Sequence, residues 1–126
     1  MQKRKKIVIA EDQKIVALDL ELSLKRNGYR EIVSFCSGKK AIEYIDLQKP
    51  DLVLLDIRLQ DEVTGLDIAE KLNRLNIPFI FVSAFSNPDN YRKAFSLKAV
   101  KVFRKPYILR DLINTVDDIL GDTNHK

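Results

Sequence analysis

Glu11 and Asp12 stand side by side just after one short apolar run, Asp56 closes a second, Ser83 closes a third, and Lys105, followed by Pro106, closes a fourth. Three carboxylates brought into one cleft would repel one another unless a divalent cation lay between them. Oxygen-only ligands of this kind suit Mg²⁺, or Mn²⁺ in its place; Mg²⁺ keeps several waters and takes one or two carboxylates together with phosphate oxygens. A lysine and a hydroxyl on the far side of that cation would serve a second anion. Cation, ammonium and hydroxyl together neutralise a phosphoryl group during in-line displacement. Singly, each residue has a plainer reading: Asp12 could cap the helix that follows it, Ser83 alone carries almost no information, and Lys105 could be a solvated strand end. The joint placement carries the weight.

That placement depends on the elements between the residues. Ile7-Val8-Ile9-Ala10, Asp51 to Ile57 and Pro78 to Ala84 are apolar without alternation, as strands of a parallel sheet covered on both faces must be. Glu31 to Cys36 and Ala99 to Arg104 are weaker strands, the second partly alternating like an edge strand. Between them apolar residues recur at three and four. The first helix runs through Ile15, Leu18 and Leu22 to Lys25-Arg26 and a stop at Asn27-Gly28. A second opens at Ser37-Gly38 with Ala41, Ile42 and Ile45 on one face and closes at Pro50. Thr64 opens a third, with Leu66, Ile68, Ala69 and Leu72 inside. Asn87-Pro88 opens a fourth through Tyr91, Ala94, Phe95 and Leu97. The fifth carries Leu109, Leu112, Ile113, Val116 and Ile119-Leu120 to Gly121. Strict βα alternation predicts right-handed crossovers and one doubly wound parallel sheet, an α/β fold. Ligands of such sheets bind beyond the carboxyl ends of the strands, where strand order reverses, and all five residues fall on that rim.

Composition removes several other classes. With 45% hydrophobic and 32% charged residues the chain reads as one soluble domain over residues 1–126, with a core of about 5–122. The lone Cys36 rules out a disulfide scaffold and fits a reduced, cytoplasmic setting. No apolar run approaches the roughly 20 residues of a membrane span or the core of a signal peptide. The net charge of +4 resides largely in a basic N-terminal tag, Lys3-Arg4-Lys5-Lys6, and the looser group Arg92, Lys93, Lys98, Lys101 and Arg104 is too scattered to predict direct nucleic-acid binding. Ser37-Gly38-Lys39-Lys40 is not a P-loop, because Val33 stands where the first glycine is needed and Lys40 where Ser or Thr is needed. No G-x-G-x-x-G follows the first strand. A hydrolase with an Asp nucleophile commonly carries a second acid two residues later, where this chain has Arg58, and His125 lies in the short polar C-terminal tail.

These residues resemble the receiver domain of two-component response regulators, the flavodoxin-like (βα)5 domain of the CheY-like superfamily. The resemblance spans residues 5–122 and rests on Glu11-Asp12, Asp51-Leu-Val-Leu-Leu-Asp56, Ser83-Ala84 and Lys105-Pro106-Tyr107. It implies a sheet of order 2-1-3-4-5, with Asp56 as phosphorylated nucleophile and Mg²⁺ held by Glu11, Asp12, Asp56 and the main-chain carbonyl of Arg58. It further implies that Ser83 and Lys105 bind phosphoryl oxygens and that Ala84 leaves room for the hydroxyl. The implied donor is a histidine kinase or histidine phosphotransfer protein. The product would be a phosphoprotein whose fourth helix, fifth strand and fifth helix signal by protein contact to a downstream target, an attached output domain or a second copy. Such a domain promotes its own phosphotransfer and autodephosphorylation and is otherwise no enzyme. The sequence fits either a stand-alone regulator or a receiver belonging to a longer chain.

Three positions depart from the family pattern. The switch aromatic, three residues before the lysine, is Val102 here, and Phe103 one place later points to the opposite face of its strand. Gln60 replaces the proline four residues after Asp56, and Gly65 comes at nine rather than eight, which predicts a loop one residue longer. Arg58 sets a long cation beside the site, to shield an acyl phosphate or steer water. Val102 alone favours a second reading, a receiver-like interaction module acting without phosphorylation.

Overall fold

Parallel strands and amphipathic helices alternate along residues 3–121, the residues described by a computed structural model. The order is β1 (Lys3–Ala10), α1 (Lys14–Arg26), β2 (Tyr29–Phe35), α2 (Gly38–Gln48), β3 (Leu52–Leu55), α3 (Gly65–Leu75), β4 (Phe79–Ser83), α4 (Pro88–Ser96), β5 (Lys101–Arg104) and α5 (Leu109–Leu120). All strand pairs are parallel and the sheet runs β2-β1-β3-β4-β5, so strand order reverses between β1 and β3. This is the doubly wound α/β arrangement expected from the alternation. No helix among the described residues is long and apolar enough to cross a membrane.

The sheet is apolar on both faces because both are covered. Ile7, Ile9, Leu52, Leu54, Ile80 and Val82 pack under α1 and α5, while their chain neighbours Val8, Ala10, Val53, Leu55, Phe79 and Phe81 pack under α2, α3 and α4. Alternate side chains of one strand thus enter two different cores. Helix boundaries follow local chemistry: Ser37 caps α2, Thr64 and Asp67 form a capping box on α3, Asn87 caps α4 with Pro88 in its first turn, and Gly121 ends α5 at φ 71°.

Three local expectations change. Lys3–Lys6 lie inside β1 rather than in front of it, because pairing uses the main chain: Lys3 registers with Tyr29 and Lys6 with Glu31 of β2, and the Lys6 carbonyl accepts from the Asp51 N–H (2.9 Å). Asp12 caps nothing; the residue before α1 is Gln13, without a side-chain cap. Most consequentially, the apolar stripe Ile15, Leu18 and Leu22 faces outward, and α1 buries Ala17, Leu20 and Leu24. Both triplets have the same spacing, and the less bulky one faces the core. His125 lies outside the described residues.

The loop between β3 and α3 is fastened at several points. Asp61 accepts from the Ser37 hydroxyl (2.8 Å) and from the Gly38 and Lys39 N–H groups (2.9 and 3.0 Å), so it tethers this loop to the start of α2. Those donors, led by the Lys39 N–H, hold its carboxyl down at about 2. Gly65 donates its N–H to the Ile57 carbonyl (2.8 Å), and a Cβ there would lie 2.1 Å from the Asp56 carbonyl oxygen. Lengthening the loop by one residue therefore preserves the glycine's close approach to the strand end. Gly65→Ala is expected to cost about 1–3 kcal/mol through this overlap with backbone that cannot retreat. Urea unfolding checks it, and an unchanged midpoint would contradict it.

Candidate active site

Glu11 follows β1, Asp56 follows β3 and Lys105 follows β5, so three short strand ends deliver three charged side chains to the crevice where strand order reverses. The Asp56 N–H donates to the Ala10 carbonyl (2.8 Å) and the Glu11 N–H to the Phe35 carbonyl (3.0 Å), which extends the ladder past the strands and fixes both acids. The Ile57 N–H donates to Asp56 Oδ1 at 2.7 Å. Lys105 Nζ donates to Glu11 Oε1 (2.8 Å) and to Asp56 Oδ2 (3.0 Å), bridging the two acids. Carboxylate oxygens of Glu11, Asp12 and Asp56 lie within 4.8 Å of one another.

Three carboxylates face one ammonium here, and both bridged acids are almost wholly buried. Burial and, after it, the negative charge of Asp56 push the Glu11 carboxyl up to about 7, against the opposing pull of Lys105 and the Gln13 N–H. For Lys105, burial opposes the charged form, but the bonds to Glu11 and Asp56 outweigh it and hold the ammonium above its usual value. The negative excess, carried entirely by oxygen donors, is what a hard divalent cation offsets, so the residues fit Mg²⁺.

The other expected residues lie around this centre. Ser83 is buried at the end of β4, and its carbonyl accepts from the Lys105 N–H (2.9 Å). Arg58 is exposed on the loop between β3 and α3, whose next anchor is the Gln60 N–H donating to the Cys36 carbonyl (2.9 Å). Ala84 is exposed at the start of the loop between β4 and α4. Val102 packs on the core under α2–α4, and Phe103 is buried on the opposite side with its ring 5.9 Å from that of Tyr107.

A group that sequence reasoning missed lies just beyond Ser83. Phe85 sits at φ 52° with its side chain buried, and its ring contacts Phe81 (6.3 Å) and Tyr91 (5.0 Å), which in turn contacts Phe95 (5.0 Å). The Arg104 guanidinium lies 5.1 Å over the Tyr91 ring and donates to the Phe85 carbonyl at 3.5 Å. The aromatic link between this loop and α4 is thus made by residues of the loop and helix, on the side of the sheet where Val102 is small. The i, i+4 pair Tyr91 and Phe95 was legible; its connection to Arg104 was not.

Among curated proteins the chain is similar to the transcriptional regulatory protein PdtaR of Mycobacterium tuberculosis, 31% identical over 114 residues that cover 90% of this chain and 55% of that protein. The chain spans about half the length of the curated relatives it matches. Among solved structures it is similar to a DNA-binding response regulator of the LuxR family from Staphylococcus aureus, with a TM-score of 0.84, 26% identity, and coverage of 93% of this chain and 99% of that one. A CheY-like receiver domain protein from Methanospirillum hungatei shares the fold, with a TM-score of 0.83 at 23% identity, covering 94% of both chains. The family model described as "Response regulator receiver domain" matches residues 7–117, and with this sheet order and these acids at its rim the chain belongs to the family of response regulator receiver domains.

Proposed function

We propose that this receiver domain accepts a phosphoryl group on Asp56 from a phosphohistidine of a histidine kinase or histidine phosphotransfer protein, and signals through the surface formed by α4, β5 and α5. One observation carries the reading: the buried carboxylates of Glu11 and Asp56, joined by Asp12, share a single ammonium at the reversal of strand order. An Asp56 carboxylate oxygen attacks phosphorus, the phosphorus–nitrogen bond of the donor breaks, and the leaving imidazole takes up a proton. The Ile57 N–H fixes the carboxylate through Oδ1, so the nucleophile is oriented before the donor arrives. Mg²⁺, or Mn²⁺, held by Glu11, Asp12, Asp56 and the Arg58 carbonyl, would supply positive charge between nucleophile and phosphoryl oxygens. Lys105 then exchanges a carboxylate oxygen for a phosphoryl oxygen, and the Ser83 hydroxyl donates to another. Arg58, exposed on the loop two residues after Asp56, would shield the acyl phosphate or steer attacking water.

The Glu11 carboxyl gives this site a pH signature. A carboxyl whose pKa is raised by folding keeps its proton in the fold while the unfolded chain loses it, so the metal-free domain loses stability as pH rises from 4.5 to about 7. Mg²⁺ needs the ionised form. Its affinity, followed by titration calorimetry, is expected to fall about tenfold per unit below pH ~7 and to level off above it. An affinity flat from pH 5 to 8 would contradict the assignment of Glu11.

The donor must reach Asp56 over the rim where α1 begins and α5 is entered. Ile15 at the start of α1 is 83% exposed and Ile108 just before α5 is 66% exposed, and Leu18 and Leu22 continue the apolar stripe. Such a patch supports protein docking around the cleft. Ile15→Asp is expected to slow transfer from a phosphorylated histidine phosphotransfer protein by about tenfold or more while leaving uptake from a small phosphodonor unchanged. Equal slowing with both donors would contradict a docking role.

A further inference from the structure

Between Asp56 and Gly65 the loop is one residue longer than the family pattern, and Gln60 stands where that pattern has a proline. A proline ring fixes φ; a glutamine leaves it free. The missing restraint comes from outside the loop. The Gln60 N–H donates to the Cys36 carbonyl (2.9 Å), and Asp61 accepts from the Ser37 hydroxyl (2.8 Å), the Gly38 N–H (2.9 Å) and the Lys39 N–H (3.0 Å). Val63 lies so close to Gly38 that a Cβ on the glycine would be 2.4 Å from the Val63 carbonyl oxygen. Residues 60–63 are thus laid along the start of α2. The N–H groups of Gly38 and Lys39 belong to the first turn of α2, which has no carbonyl of its own to offer them, and the Ser37 hydroxyl serves the next one, that of Lys40 (3.3 Å).

Arg58 lies inside this clamp. Upstream, the Ile57 N–H donates to Asp56 Oδ1 (2.7 Å) and the Ile57 carbonyl accepts from the Gly65 N–H (2.8 Å). Downstream come Gln60 and Asp61, which leaves Arg58 and the buried Leu59 as the span between anchors. We infer that Asp61 is a positioning residue of the metal site, which grips the amino end of α2 and thereby holds the Arg58 carbonyl ready for the cation. The inference rests on the metal site proposed above. The single main-chain bond at Gln60 fixes a point about which the loop can turn, whereas three bonds to two carboxylate oxygens fix a direction as well. The neighbouring acid has no such grip: Glu62 meets Lys39 Nζ at 3.7 Å, with its side chain 83% exposed.

Mg²⁺ titration calorimetry and hydrogen exchange of the metal-free protein test this, with the fold of each variant checked by circular dichroism. In Asp61→Ala, Mg²⁺ binding is expected to weaken about tenfold and the Gln60 amide to exchange about tenfold faster or more. Loss of a negative charge near a cation weakens binding by itself, so further variants separate position from charge. Ser37→Ala keeps every charge; it is expected to weaken Mg²⁺ binding about threefold and to add little on top of Asp61→Ala. Glu62→Gln removes a charge from the same loop and is expected to change affinity by less than about twofold. Asn87→Ala removes the cap of α4 and so lowers stability away from this loop, and it is expected to leave Mg²⁺ affinity as it was. Native affinity in Asp61→Ala or Ser37→Ala, or equal weakening by Glu62→Gln or Asn87→Ala, would overturn the inference. So would native exchange at Gln60 in Asp61→Ala. If Asp61→Ala does not fold, Asp61→Asn is read in its place against the same controls, since its amide oxygen can keep the bonds from Ser37 and Lys39 and loses that from Gly38. Absence of Mg²⁺ binding by the native protein would refute the metal site itself, and the inference with it, while leaving the exchange result standing.

Discussion

Asp56→Asn takes up no phosphoryl group. The amide is nearly the shape of the carboxylate, and its oxygen can keep the bond from the Ile57 N–H, which leaves the NH₂ facing the Lys105 ammonium. Two donors then confront each other, but one negative charge leaves a cleft that holds three. The negative charge of Asp56 helps hold the Glu11 carboxyl up, so its loss lets Glu11 titrate lower. Three readouts follow. Uptake from any donor is lost, Mg²⁺ affinity drops by roughly tenfold or more because it follows ligand charge, and the pH below which Mg²⁺ binding weakens moves down. Uptake at the native rate would overturn Asp56 as nucleophile, and an unchanged Mg²⁺ affinity would remove it from the metal site.

Lys105→Ala separates the chemistry from the switch. It strips the shared ammonium from Glu11 Oε1 and Asp56 Oδ2 and leaves two carboxylates in a nearly closed cleft without their cation. Losing a charged partner of this kind costs about 1–3 kcal/mol, toward the lower end here because the lysine side chain is 23% exposed. The sign with pH is fixed. Without the ammonium the Glu11 carboxyl rises further, so the loss is small near pH 5, where Glu11 keeps its proton, and grows toward pH 8. Saturating Mg²⁺ is expected to recover most of it, since the metal replaces the missing positive charge. The variant should therefore bind Mg²⁺ and accept a phosphoryl group slowly, yet fail to move the loop after Ser83. Amide chemical shifts of Phe85, Tyr91 and Arg104 are expected to respond to phosphorylation in the native protein and to stay still in Lys105→Ala. A full response in the variant would contradict the role given to Lys105.

How far these features could be read beforehand depended on whether they were local. Strand and helix order follows from apolar runs and cap residues lying within a few positions of one another, as at Thr64, Asn87-Pro88 and Gly121. The gathering of Glu11, Asp12, Asp56 and Lys105 follows once the sheet is known, because each sits at the carboxyl end of its strand. Which face of α1 turns inward did not follow. Ile15, Leu18, Leu22 and Ala17, Leu20, Leu24 have identical spacing, so periodicity alone does not choose between them. The inclusion of Lys3–Lys6 in β1 was hidden because main-chain pairing with β2 places no demand on the side chains. The Asp61 tether and the bond from Arg104 to the Phe85 carbonyl join residues about twenty positions apart and leave no periodic trace. The glycine displaced to Gly65 was visible as a longer loop; its closeness to the Asp56 carbonyl was not.

The central claim is that a carboxylate of this rim becomes an acyl phosphate in the presence of Mg²⁺. Intact mass before and after incubation with a small phosphodonor tests it most directly, run with and without Mg²⁺ and with Asp56→Asn alongside. The predicted result is a gain of one phosphoryl group that requires both the metal and Asp56. Folded native protein that gains nothing, while a control receiver is labelled under the same conditions, would contradict the claim and favour a receiver that works by contact alone.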